Sequence, residues 1–250
     1  LMGDVYGFQS NWSQSVTYYK QLLDVDPKNV TYHYKYGGVL GKLAKEGRKL
    51  SGISQISKVK ASFLTAAELD PNHVNIRWAL VELYTQLPGF LGGSYKKALA
   101  YADELEQLSR LNGYFAKAYI FENSDREVLA KTYYKKGLEN LKEFNCFQAE
   151  LSNTTHLEAH NNSVHFLIAT ACVIHNVQLI VGQRYIQEYM NSISSKDREP
   201  LEAAYLLQAK LFKLQNKIPE ALASIEKALS EMPNFKPALK EKQLILLLKS

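Results

Sequence analysis

The chain has 250 residues, 46% hydrophobic and 22% charged, with a net charge of +5. These values are those of a globular chain that buries roughly 70–75% of its unfolded surface and needs neither disulfides nor metal to stay folded. They exclude a disordered or fibrous chain, and the longest apolar runs, such as Leu244 to Leu248, fall far short of the ~18 residues that cross a bilayer.

A spacing of small-x3-large-x2-small-x4-Pro recurs along the chain. Ser15, Tyr19, Leu22 and Pro27 form the first, with Gly3 and Tyr6 ahead of them, so the first helix is expected to begin before this numbering does. Val59, Phe63, Ala66 and Pro71 form the second. Ala98, Ala102 and Leu105 follow, then Ala130, Tyr134 and Gly137, the latter preceded by Tyr114, Ala118 and Phe121. A weaker copy is Gly182, Ile186 and Tyr189, with Phe166, Ala169 and Cys172 upstream. The last is almost complete: Ala221, Ile225, Ala228 and Pro233, preceded by Tyr205, Gln208, Ala209 and Phe212.

Each position has a physical reason. Small residues let two antiparallel helices cross at close range, and large ones fill the space between neighbouring pairs. Proline ends the second helix, because its ring and missing N–H cannot continue the hydrogen-bond ladder. "DPKN" and "DPNH" are then turns that start the next pair.

On these residues the chain resembles the tetratricopeptide-repeat family across nearly its whole length. The resemblance implies an all-α fold, an α-α superhelix of about six helix-turn-helix repeats. These span approximately residues 1–29, 30–73, 74–110, 111–144, 162–195 and 202–235, with a terminal helix at 236–249 and one solenoid domain over 1–250. It also implies a concave groove, lined by the first helices, that receives a peptide or protein. Pro27 to Pro71 is 44 residues where about 34 are expected, so some ten residues are inserted there. The phrase "PGFLGGSYKKAL" is similar to a turn in a subset of bacterial, often exported, tetratricopeptide proteins, which favours an exported or periplasmic location over a cytoplasmic one.

Groove positions follow from the first helices. One residue beyond each core-facing large side chain stand Tyr34 and Gly38, Trp78 and Glu82, Phe115 and Tyr119, and Leu206 and Lys210. A second surface is basic: Lys35, Lys42, Lys45, Arg48, Lys49, Lys58 and Lys60 face only Glu46, a local +6 against +5 for the whole chain. It suits a solvated helix face or an acidic partner. Without interleaved aromatics to stack on bases, no nucleic acid is expected there.

Sharper chemical readings are weaker. Gly89, Gly92 and Gly93 precede Ser94-Tyr95-Lys96 and are not G-x4-G-K-[ST]; the apolar residues before them repeat at helical spacing, so a turn with Ser94 as N-cap is expected rather than a phosphate loop. His156 and His160 stand four apart, with His165 beyond, but the intervening glutamate falls on the opposite side from that of a zinc hydrolase, and no metal site is expected. Cys146 and Cys172 make no CxxC pair, and the Asn-x-Ser/Thr triplets at Asn11, Asn29, Asn153 and Asn161 matter only in a glycosylating pathway. No nucleophile with a base and no G-x-S-x-G is present, so no catalysis and no cofactor are expected. The alternatives are an enzyme, metal-dependent or otherwise, on a helical solenoid, or an anionic-surface binder acting through residues 42–60. The apolar end of the terminal helix, Leu244 to Leu248, is expected either to pack back or to pair two copies.

Overall fold

The structure, a computed structural model, describes residues 2–46, 49–141, 162–193, 197 and 199–248, the side chains of 46 and 49–54 excepted. These residues fall into two compact units, one up to Ala130 and one from Lys131 onward. Among the described residues there are thirteen α-helices and no strand.

The first unit holds α1 (Met2–Phe8), α2 (Trp12–Val25), α3 (Val30–Glu46), α4 (Lys49–Leu69), α5 (Val74–Gln86), α6 (Tyr95–Leu108) and α7 (Arg110–Asn123). Helices α1 and α2, α3 and α4, and α5 and α6 pack as successive pairs, and α5 also touches α7, the first helix of the next pair. The recurring small and large residues make these contacts. A Cβ on Gly3 would stand 2.7 Å from the Tyr19 ring, and one on Gly37 equally close to Phe63. Ser15 donates its hydroxyl to the Gly3 carbonyl at 2.7 Å, and Tyr19 donates to Asp4 at 2.6 Å. Ala66, Ala98, Ala102 and Leu105 are fully buried.

Each Asp-Pro turn caps the helix that follows or ends the one before. Asn29 accepts from the Tyr32 N–H at the start of α3, and the Asp70 N–H donates to the Ala66 carbonyl at the end of α4. The inserted residues of the second repeat lengthen both of its helices: α3 has 17 residues and α4 has 21, against 14 in α2.

Helix α8 (Glu127–Glu139) buries Ala130, Tyr134 and Leu138 on one face. The second unit continues with α9 (Ser163–His175), α10 (Leu179–Ser192), α11 (Leu201–Leu214), α12 (Ile218–Glu231) and α13 (Lys236–Leu247). Pairs α9–α10 and α11–α12 repeat the arrangement, α11 touches α9, and α13 packs on both α11 and α12. Leu206, Ala209, Ala221, Ile225, Ala228, Ala238 and Ile245 form one core there.

Helix α13 opens with Pro237 in its first turn, where a missing N–H costs nothing. It packs back through Ala238, Glu241 and Ile245, and the buried Glu241 carboxylate pairs with Lys213 of α11. Leu239, Leu244, Leu246, Leu247 and Leu248 stay exposed.

Candidate functional site

The first helices carry the positions singled out from sequence, and burial divides them. In α3, Tyr34 is half-buried between Phe63 and His73, with ring centroids 6.1 and 5.8 Å away. Gly38, one turn later, is exposed, and a Cβ built on it would meet no atom within 4 Å. In α5, Trp78 is buried, 1% exposed, whereas Glu82 is half-buried. In α7, Phe115 and Tyr119 are both buried. In α11, Leu206 is buried and Lys210 half-buried. In α3, α5 and α11, then, the earlier residue of each pair lies deeper and the later one nearer water.

The buried members join one first helix to the next. Trp78 donates its indole N–H to Asn112 Oδ1 at 2.8 Å, and Asn112 in turn donates to Ser109 Oγ at 3.0 Å. Gln86 donates to the Tyr119 hydroxyl at 2.6 Å and to Asn123 Oδ1 at 3.0 Å. Arg77 of α5 pairs with Glu104 of α6 at 2.7 Å. Asn112 and Gln86 are the residues that sequence reasoning passed over. Asn112 has one signal, a polar side chain within an otherwise core-facing stripe, since a buried amide is tolerated only where it is hydrogen-bonded, whereas Gln86 is exposed and has none.

The glycine stretch is a connection between helices. It follows helix α5, turns once as a 3-10 helix over Gly89–Leu91 and passes through Gly92 at φ +92°. The amides that a phosphate would need are already paired: Gly92 N–H with Gly89 O, Gly93 N–H with Pro88 O and Ser94 N–H with Tyr84 O. A Cβ at Gly93 would fall 1.7 Å from the Leu87 carbonyl oxygen, so only glycine fits. Ser94 caps α6 by accepting from the Lys97 N–H.

The basic segment is only partly open. Lys35 pairs with Asp4 at 2.9 Å, Lys42 is half-buried, and Lys45 and Lys58 are exposed. Lys60 lies 5.7 Å over the Tyr84 ring, joined there by Lys97 at 5.5 Å. Arg48 lies outside the described residues, and of Lys49 only the backbone at the start of α4 is described.

Potential reactive groups are few. His156, His160 and Cys146 lie outside the described residues; His165 packs against Tyr185 and stands 3.9 Å from Glu188. Among the described residues no three metal-ligating side chains gather, and no helix is long and apolar enough to cross a membrane. Cys172 is buried between α9 and α10, and burial pushes its thiol up to about 11, which leaves it protonated and unreactive at neutral pH.

Antiparallel helix pairs, with small residues at the crossings and first helix set against first helix, define an all-α helical-repeat protein. Comparison with solved structures makes the class specific: the chain has the tetratricopeptide-repeat fold. A tetratricopeptide repeat protein from Parabacteroides merdae matches 98% of this chain over 81% of its own, at 14% identity and a TM-score of 0.53. The pilF protein of Pseudomonas aeruginosa matches 97% over 94% of its own, at 13% identity and a TM-score of 0.52. A chain of the APC/C hetero-tetramer Cut9-Hcn1 matches 98% of this chain over 42% of its own, at 13% identity and a TM-score of 0.59. At such identities the likeness is one of fold. No family model matches the sequence, and no curated protein matches it.

Proposed function

We propose that the protein is a non-catalytic scaffold that binds a peptide or another protein along the faces of its first helices. The observation that carries this reading is the alternation in α3, α5 and α11: Tyr34, Trp78 and Leu206 are held inward while Gly38, Glu82 and Lys210, one turn later, reach or approach solvent. Within each unit, anchored first helices with accessible, chemically varied positions offer a surface that recognises without reacting. In α7 both Phe115 and Tyr119 are buried and serve to anchor the helix. The fold supports this reading, and the turn "PGFLGG" supports an exported setting for it.

Peptides selected from a random displayed library against the full chain test it. Gly38→Phe and Glu82→Lys are each expected to weaken a peptide held by the first unit about tenfold, and Lys210→Glu one held by the second, the effect of losing one well-placed contact. Lys96→Glu, on the exposed start of α6, is expected to leave it unchanged. Peptides indifferent to all three substitutions contradict the reading.

A second reading is favoured by Lys60 and Lys97, which share the Tyr84 ring and extend the basic face of residues 42–60 onto α6. Here an acidic protein segment is held electrostatically, and binding of poly-glutamate that does not weaken with added salt contradicts it. The exposed Leu239, Leu244, Leu246 and Leu247 of α13 support pairing of two copies; a monomeric mass by light scattering at high concentration contradicts that part.

A further inference from the structure

A cavity of about 410 Å3 opens between α10 and α11, within the second unit. It lies off the proposed binding face. Gln208 and Phe212 of α11 line it, two residues on from Leu206 and Lys210, and two residues turn a helix by roughly 200°, so the cavity occupies the opposite side of α11. Its size falls within the range of small-molecule sites, roughly 300–1,000 Å3.

The polar lining is ordered by a chain of hydrogen bonds across three helices. Ser224 Oγ of α12 donates to Gln208 Oε1 at 3.1 Å, Gln208 Nε2 donates to Gln187 Oε1 at 3.5 Å, and Gln187 Nε2 donates to Asn191 Oδ1 at 2.9 Å. The acceptor oxygens of Gln208 and Gln187 are thus both engaged. Gln183, which also lines the cavity, donates its Nε2 to the Gln208 carbonyl at 3.4 Å, and Gln215 Nε2 is buried with no hydrogen-bond partner among the described residues.

Two cations give the cavity its charge. Asn216, in the left-handed region at φ +58°, ends α11 and turns the chain so that the Lys217 ammonium stands 6.0 Å over the Phe212 ring. Arg184 of α10 lies on the other side, 5.0 Å over Tyr185. Among the described residues no acid lines the cavity. The carboxylate next to it, Glu188, stands 3.8 Å from Arg184 in an exposed pair, a geometry that holds a guanidinium weakly. Phe212 provides an apolar wall, and Ile180, 79% exposed, leaves an apolar rim.

A ligand that fits must carry negative charge for the two cations and place carbon against Phe212 and Ile180. We propose that this cavity binds a small organic carboxylate with an apolar body, its oxygens taken by Lys217 and Arg184. The carboxylate can belong to a free acid or to the last residue of a peptide, and the test separates the two.

N-acetyl-leucine, its amide, and a tetrapeptide ending in leucine as free acid or amide are titrated into the full chain by calorimetry. Saturable binding of a free-acid form is expected, by N-acetyl-leucine if the source is a small acid and by the tetrapeptide alone if it is a chain end. The amide forms are expected to bind at least about tenfold more weakly, and Lys217→Gln and Arg184→Gln each to cost the acid about tenfold, as loss of a charge-assisted hydrogen bond does. Both side chains are exposed, so unchanged circular dichroism is expected in both variants. Amides that bind as well as acids, binding that survives both substitutions, or no saturable binding by any acid overturns the proposal. Gly38→Phe is expected to leave this binding intact, which separates it from the first-helix face.

Discussion

Trp78 of α5 and Asn112 of α7, both buried, are joined by a 2.8 Å hydrogen bond. The bond ties consecutive first helices, so it fixes the spacing of the surface proposed to bind a partner. Asn112→Ala leaves the indole N–H buried and unpaired, and a loss of about 2 kcal/mol is expected in urea unfolding. In a double-mutant cycle with Trp78→Phe, the combined loss is expected to be smaller than the sum of the single losses.

Two helical glycines should respond oppositely to alanine. Gly38 has open space around it and sits in a helix interior, where glycine costs about 0.5–1 kcal/mol relative to alanine; Gly38→Ala is expected to stabilise by that amount. Gly182 of α10 lies against α9 and α11, and a Cβ there would come within 2.8 Å of Leu211 and 2.9 Å of Cys172. Gly182→Ala is expected to destabilise by about 1 kcal/mol, overpacking outweighing the helix gain. Thermal unfolding of the two variants checks both signs.

The Cys172 thiol is raised from 9.0 to about 11 by burial. Because the folded value is the higher, its contribution is complete below pH 9 and is lost as the pH climbs to about 11, in total roughly 2–3 kcal/mol. Tyr19, raised by burial and by its hydrogen bond to Asp4, acts in the same direction above pH 10. Cys172→Ala is expected to flatten the decline between pH 9 and 11, read as the urea midpoint against pH.

Lys213 and Glu241 pair at the root of α13, with the carboxylate side chain only 8% exposed. Lys213→Met strands that carboxylate and is expected to cost about 3 kcal/mol. The exposed pair of Lys242 and Glu226 is the comparison: Lys242→Met is expected to cost less than about 1 kcal/mol. Chemical denaturation of both variants measures the contrast.

Much of this architecture was legible in the sequence because it depends on contacts within a pair of helices. Gly3 against Tyr19, Gly37 against Phe63 and the buried Ala221, Ile225 and Ala228 all sit at fixed intervals that periodicity reveals. Contacts between one pair and the next were not legible. Trp78 and Phe115 stand at positions that spacing alone assigns to the partner-facing side; how far such a residue is covered depends on the approach of the neighbouring first helix, which no interval encodes. The cavity beside Gln208 was hidden for the same reason. Its two walls, Gln183 to Gln187 and Gln208 to Gln215, belong to different pairs and read separately as ordinary helix faces.

The central claim is that the accessible first-helix positions meet the partner. A photo-crosslinking residue placed in turn at Gly38, Glu82 and Lys210, and for comparison at the exposed Lys20 of α2 and Lys240 of α13, tests it most directly with a library-selected peptide. Crosslinks at Gly38 and Glu82 for a peptide held by the first unit, or at Lys210 for one held by the second, and none at Lys20 or Lys240 are expected. Crosslinks at Lys20 or Lys240 with none at Gly38, Glu82 or Lys210 would contradict the account.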